Sequence, residues 1–188
     1  IVAKAAAREP RDRYASALKR WGVSRGGVGA GSAAWLWSLQ MAQRNRRRYP
    51  DRYMILRYET LVFRPEETMR DICAFIGEPY SPLMLTMSGD QRFHDEGGNS
   101  SYERVEPGRI STGSVGRFRG VMSRRQIAYM ERVLEPEMSA FGYTRDSLVL
   151  TGSERLLFSL VDRPWNAARA AAWRAREAVL DRMGRPVP

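Results

Sequence analysis

Ile1-Val2-Ala3-Lys4-Ala5-Ala6-Ala7, followed at once by Arg8-Glu9-Pro10-Arg11-Asp12, is the stretch that decides how this chain folds. Its first seven residues read as a short, largely apolar strand. Proline suits the first turn of a helix and acids favour its positive end, so the segment from Glu9 predicts a helix running to about Trp21. A strand passing directly into a helix is the unit of an α/β domain with a parallel sheet, in which ligands sit beyond the carboxyl ends of the strands. Arg8 lies at that end. Ser16 stands eight positions on, about two helical turns further, so a guanidinium and a hydroxyl can both approach one phosphate near the helix start. The plainer alternative is an arginine capping a sheet edge and a serine satisfied within its own helix.

Outward from this point, strand and helix signals alternate. The Gly-rich stretch Ser24 to Ser32 reads as a flexible connector, and Trp35, Leu39 and Met41 to Arg48 predict a second helix ending before Pro50. Tyr53-Met54-Ile55-Leu56-Arg57-Tyr58 is the near-continuous apolar run of a buried parallel strand. Pro65 opens a further helix with Glu66 and Glu67 in its first turn and Gly77 after its end. Met69, Ile72, Cys73 and Ile76 share one face of it, which makes Cys73 a core residue rather than a nucleophile.

Residues 80–115 are too long for an idle connection, and contact with a ligand is expected there. Ser123 with Gln126 three residues on predicts a capping box, and Ile127, Met130, Val133, Leu134 and Met138 an amphipathic helix stopping near Gly142. After Asp146 the composition shifts, and residues from about Glu154 to Arg182 mix Leu156, Leu157, Phe158, Trp165 and Trp173 with many arginines. That is a basic amphipathic tail, broken once at Pro164 and suited to packing on the domain or a partner, or to lying on an anionic membrane surface. The expected plan is one domain over 1–150 and a helical tail over 151–188.

Composition narrows the function classes. The 188 residues suffice for one domain with a real core, and the 43% hydrophobic content is that of a soluble globular protein. No apolar run reaches the roughly 18 residues of a membrane span, and the opening residues do not form a signal peptide. One cysteine cannot make an internal disulfide, and with His94 as the only histidine there is no cluster at zinc spacing, so a reduced, cytoplasmic, metal-free protein is expected. The formal charge is +10, and Lys4 and Lys19 are the only lysines among the 31 basic residues, leaving 29 arginines. Arginine grips phosphate as a planar fork, which suits an anionic ligand, although a general preference for arginine over lysine gives the same count. Nucleic-acid binding is disfavoured, because the arginines are spread along the chain and no helix-turn-helix, zinc or aromatic-platform motif accompanies them.

Three segments in fixed order carry a family resemblance. Arg8-Glu9-Pro10-Arg11-Asp12 with Ser16 resembles the 3'-phosphate-binding motif of sulfotransferases that use 3'-phosphoadenosine 5'-phosphosulfate. Arg57-Tyr58-Glu59-Thr60-Leu61, then Arg64-Pro65-Glu66-Glu67 and the helix ending Phe75-Ile76-Gly77, resembles that family's strand, Tyr-Glu-Asp-Leu turn and Pro-Glu helix, with Thr60 in place of the usual Asp. Ser111-Thr112-Gly113-Ser114-Val115-Gly116-Arg117-Phe118-Arg119 is similar to the family's late loop, but Ser111, Thr112 and Gly113 stand where animal cytosolic members carry an Arg-Lys-Gly triplet. The loop Gly98-Asn99-Ser100-Ser101-Tyr102 adds a likeness to bacterial members.

The resemblance implies a three-layer α/β fold of the P-loop NTPase-like kind, with a parallel sheet between helices, and makes residues 1–150 the greater, C-terminal part of a sulfotransferase domain. It implies transfer of a sulfuryl group from the nucleotide donor to a hydroxyl or amine. Donor would be held by Arg8 and Ser16 at the 3'-phosphate, Tyr58 at the adenine, and Ser111, Thr112, Gly113 and Ser114, with Arg117 or Arg119 supplying charge. The acceptor would be a small molecule, a carbohydrate or a lipid-linked sugar. Family members carry a lysine-bearing phosphate loop and a His or Glu base upstream of the Arg/Ser motif. Because the chain opens without an initiator Met and reaches this motif within ten residues, we expect that the N-terminal strand, loop and catalytic groups precede Ile1. Ser24 to Ser32 is glycine-rich but contains no lysine and follows a helix, so it fails the phosphate-loop pattern. His94 is a weak candidate base, since a solitary loop histidine is usually a solvated surface group. Asp95 and Glu96 beside it read as solvent-facing. The rival reading is a catalytically inactive module that binds nucleotide or a partner.

Overall fold

Proline and glycine punctuate the chain much as its sequence announces. The computed structural model describes residues 3–21, 26–86, 110 and 112–183. In order, these form β1 (Ala3–Ala7), α1 (Pro10–Trp21), α2 (Gly27–Arg48), β2 (Tyr53–Arg57), α3 (Tyr58–Phe63) and α4 (Pro65–Ile76). A 3₁₀ turn (Pro82–Leu85), α5 (Phe118–Val121), α6 (Arg124–Ala140), α7 (Gly152–Leu157), a π-helical turn (Phe158–Asp162) and α8 (Arg163–Arg182) follow. The chain packs as two units, residues 1–8 with 41–116, and residues 9–40 with 117–188. This division does not follow the change of composition after Asp146.

In the first unit β1 and β2 pair in parallel, in a register that runs from Ala3 opposite Tyr53 to Ala7 opposite Arg57. Parallel neighbours need a long crossover, and α1 and α2 fill it. β2 is half-buried along its whole length. The strand expected through Tyr58 stops at Arg57, which is extended (φ −84°, ψ 130°) and caps α3. Among the described residues the sheet has two strands, and each described element after β2 is helical or irregular. The wider sheet of the sequence reading is therefore represented here by its parallel pair alone. α4 ends as expected: Gly77 takes the left-handed conformation (φ 77°), and its N–H turns back to the Ala74 and Cys73 carbonyls. Cys73 is buried, with its sulfur 3.6 Å from that of Met84, whereas Ile76 is 43% exposed and leaves the apolar face.

The second unit holds the main core. Tyr14, Val28, Trp35, Leu39, Phe118 and Phe158 are buried with the α6 residues Ile127, Met130, Leu134 and Met138. Their spacing of three, four and four residues puts one stripe of α6 inward, while Val133 lies at its margin. The Ser123–Gln126 capping box is formed in both directions.

Two local expectations are overturned in this unit. The stretch from Gly27 is the first part of α2 rather than a loose connector. Glycine disfavours helix in isolation by about 1 kcal/mol, but here the missing side chains admit a neighbour. A Cβ on Gly29 would stand 2.0 Å from the Asn166 carbonyl oxygen, and one on Gly31 would stand 2.7 Å from the Tyr14 ring. The Gly29 N–H also donates to Asn166 Oδ1 at 3.2 Å. Nor does Pro164 break the tail. The Arg163 N–H bonds the Phe158 carbonyl five residues back, and this widened turn lets the backbone pass the proline and continue as α8.

Candidate functional site

The register of β1 and β2 fixes what meets at their carboxyl ends. Ala7 and Arg57 are the last paired residues, so the side chains that follow, Arg8 and Tyr58, emerge side by side. The Arg8 guanidinium carbon lies 4.7 Å from the centroid of the Tyr58 ring, a cation–π arrangement. Arg8 Nη2 donates to the Ser114 carbonyl at 3.2 Å, and the Tyr58 and Ser114 hydroxyls are 2.6 Å apart. Ser114 is brought there by a turn in which the Val115 N–H bonds the Thr112 carbonyl at 2.9 Å, followed by Gly116 at φ 76°. All three side chains are half-buried. Partial withdrawal from water strengthens the field of the guanidinium without excluding a ligand. Chemically, the cluster offers a fork of donors for an anion, an aromatic face for a flat ring, and two hydroxyls.

A different network organises the start of α1, within the second unit. Glu9 Oε2 accepts from the Asp12 N–H at 2.8 Å and thereby caps the helix. Arg11 donates to Glu9 at 2.6 Å, to Glu131 on α6 and to the Thr144 carbonyl at 2.8 Å, and lies over the Phe118 ring at 4.1 Å. Asp12, 1% exposed, accepts from the Phe118 N–H at 3.0 Å and so holds the start of α5. Burial pushes the Glu9 carboxyl above its ordinary value, and Arg11 offsets this only in part. Read locally, Glu9 and Asp12 are acids of a helical first turn. The partners of Asp12 on α5 and of Arg11 on α6 are more than 100 positions away, and no short pattern announces them.

Among the remaining sequence candidates, Ser16 on α1 and Arg117 before α5 are half-buried members of this second unit. Thr112 and Gly113 are exposed. Arg119 forks onto Asp146 at 2.6 and 2.9 Å, and this bond holds its guanidinium above the usual arginine range. Ser111, His94, Asp95 and Glu96 lie outside the described residues. The first unit therefore unites Arg8, Tyr58 and Ser114, predicted from three separate stretches of sequence.

Residues 5–82 match the family model described as the sulfotransferase family. The sulfotransferase match runs from β1 through α4 and includes Arg8, Ser16 and Tyr58, while Thr112 to Arg117 lie beyond it. The matched stretch, less than half of the chain, is similar to that family. No curated protein and no solved structure matches the chain. Among the described residues no helix is long and apolar enough to cross a membrane.

Proposed function

We propose that this chain serves the transfer of a sulfuryl group from 3'-phosphoadenosine 5'-phosphosulfate to a hydroxyl or amine, and that its part is to grip the nucleotide. The observation that carries this reading is the convergence of Arg8, Tyr58 and Ser114 at the carboxyl ends of two parallel strands, where α/β domains place their ligands. The donor set fits the nucleotide. A guanidinium forms charge-assisted bonds to a phosphate, about twice as strong as neutral ones, and a tyrosine ring suits the flat adenine. Ser114 fixes both, through its carbonyl to Arg8 and its hydroxyl to Tyr58. The sequence resemblance also names Ser16 and Arg117 as candidates for binding the donor.

In the reaction a bond forms between the acceptor oxygen or nitrogen and sulfur as the bond from sulfur to the 5'-phosphate oxygen breaks. The acceptor proton passes to a base, and 3'-phosphoadenosine 5'-phosphate leaves. Holding both ends of the nucleoside keeps sulfur in line with the acceptor, which is the positional share of catalysis. A small alcohol, a carbohydrate or a lipid-linked sugar is the proposed acceptor class.

Calorimetry with 3'-phosphoadenosine 5'-phosphate tests the grip. The unaltered chain is expected to bind, and Arg8→Ala to lose roughly 1.5 to 3 kcal/mol, the scale of a hydrogen bond to a charged group. Arg64→Ala, at an exposed ion pair with Glu67 on α4, serves as the control and is expected to bind normally. Equal affinity for Arg8→Ala and the unaltered chain would overturn the assignment.

A further inference from the structure

The segment from α7 through α8 has two contrasting faces. Phe158, Asn166, Ala170 and Glu177 are buried and turn one side of it into the core of the second unit. On the opposite side Leu157 (47%), Leu160 (67%), Val161 (53%), Trp165 (58%) and Val179 (52%) stay exposed. Leu160, Val161, Pro164, Trp165 and Ala168 line an open groove of about 500 Å³. Their steps of three and four residues make this a continuous apolar stripe rather than scattered surface hydrophobics.

Charge decides what suits the stripe. Arg176, eleven residues after Trp165, and Arg182 are exposed at helical positions on the side of the stripe, whereas Arg163 and Arg174 lie toward Tyr129 of α6. Two of its acids are engaged elsewhere, since Glu154 caps Thr151 and pairs with Arg124 at 3.6 Å and Asp162 pairs with Arg125 at 3.3 Å, while the buried Glu177 pairs with Arg176 at 3.4 Å. Asp181 is the exposed acid. Trp165, with the Arg169 guanidinium 4.7 Å from its ring, joins an apolar body to a cation, a combination suited to the boundary between acyl chains and headgroups. A second copy placed face to face on the stripe would bring these arginines against their own counterparts, a costly like-charge contact. An anionic sheet of headgroups over an apolar interior meets both demands.

We propose that this face docks on an anionic lipid bilayer, with Leu160, Val161 and Trp165 entering the headgroup boundary and the arginines meeting lipid phosphates. The proposal does not depend on the nucleotide reading. Its test is flotation of the full chain with vesicles of phosphatidylcholine alone, or with about one-third phosphatidylglycerol. Binding is expected to the anionic vesicles, to be weak on the neutral ones, and to fall as salt is raised. Leu160→Glu with Val161→Glu alters exposed positions only and is expected to lower partitioning about tenfold or more, with circular dichroism unchanged. Arg176→Ala with Arg182→Ala, which leaves the stripe intact, is expected to weaken binding to anionic vesicles alone. The proposal is overturned if the chain ignores anionic vesicles, if it binds both kinds equally, or if the arginine pair has no effect. It is also overturned if light scattering reveals a dimer that the Leu160/Val161 variant dissolves.

Discussion

The hydroxyls of Tyr58 and Ser114 stand 2.6 Å apart, joining positions 56 residues apart in the chain. Through this bond the turn around Ser114 is fastened to the end of β2, and Arg8 is held against the outcome by its own bond to the Ser114 carbonyl. The proposed ligand grip, built from two strand ends, thus depends on a loop for its shape.

Tyr58→Phe separates ring from hydroxyl. It keeps the aromatic face beside Arg8 but removes the bond to Ser114, and is expected to lower stability by about 1 kcal/mol. Urea denaturation should show this as a lower midpoint at unchanged slope. Affinity for 3'-phosphoadenosine 5'-phosphate should fall less in Tyr58→Phe than in Tyr58→Ala, which also removes the stacking surface. Equal losses in the two variants would contradict a role for the ring.

Gly29→Ala tests the close approach of α8 to α2. With the added methyl carbon only 2.0 Å from the Asn166 carbonyl oxygen, backbone has to move, and a loss of about 1 to 3 kcal/mol is expected. Gly152→Ala, where a Cβ meets nothing within 4 Å, should be neutral or slightly stabilising. Thermal unfolding of the two variants side by side distinguishes steric conflict from a general intolerance of glycine replacement.

Glu9 sets a pH dependence of defined sign. Its folded carboxyl holds a proton more tightly than the ordinary 4.5, mainly because it is buried. The folded state therefore carries more proton than the unfolded one between these two values, and stability falls as pH rises through that window. The contribution is complete below 4.5 and lost above the folded value. Denaturation of the unaltered chain and Glu9→Gln across this range should give a stability difference, unaltered minus variant, that declines with rising pH. A flat or rising difference would refute the assignment.

Much of the local architecture is legible without coordinates because its signals are local. Pro10 and Pro65 open helices, Gly77 closes one, and Ser123 with Gln126 writes its own capping box. The placement of Arg8 and Tyr58 side by side is legible for the same reason, since each directly follows a strand. Gly27 to Gly31 mislead because their helix is justified only by the atoms of Asn166 and Tyr14 that occupy the space of absent side chains. Pro164 misleads because a π turn upstream absorbs it. The Arg11–Glu131 bond, spanning 120 positions, leaves no local trace.

That last bond bears on how the protein is made. The second unit is assembled from residues 9–40 and 117–188, with the first unit's 41–116 emerging between them. When α1 leaves the ribosome, Arg11 must wait for Glu131 and Thr144, and Tyr14 for the core residues of α6. Synthesis at 5–20 residues per second makes that wait several seconds to half a minute, during which α2 but not α6 is there to cover the apolar side of α1. The second unit can therefore close around α1 only after residue 144 has been made, so its folding is set by the completion of the chain rather than by its beginning.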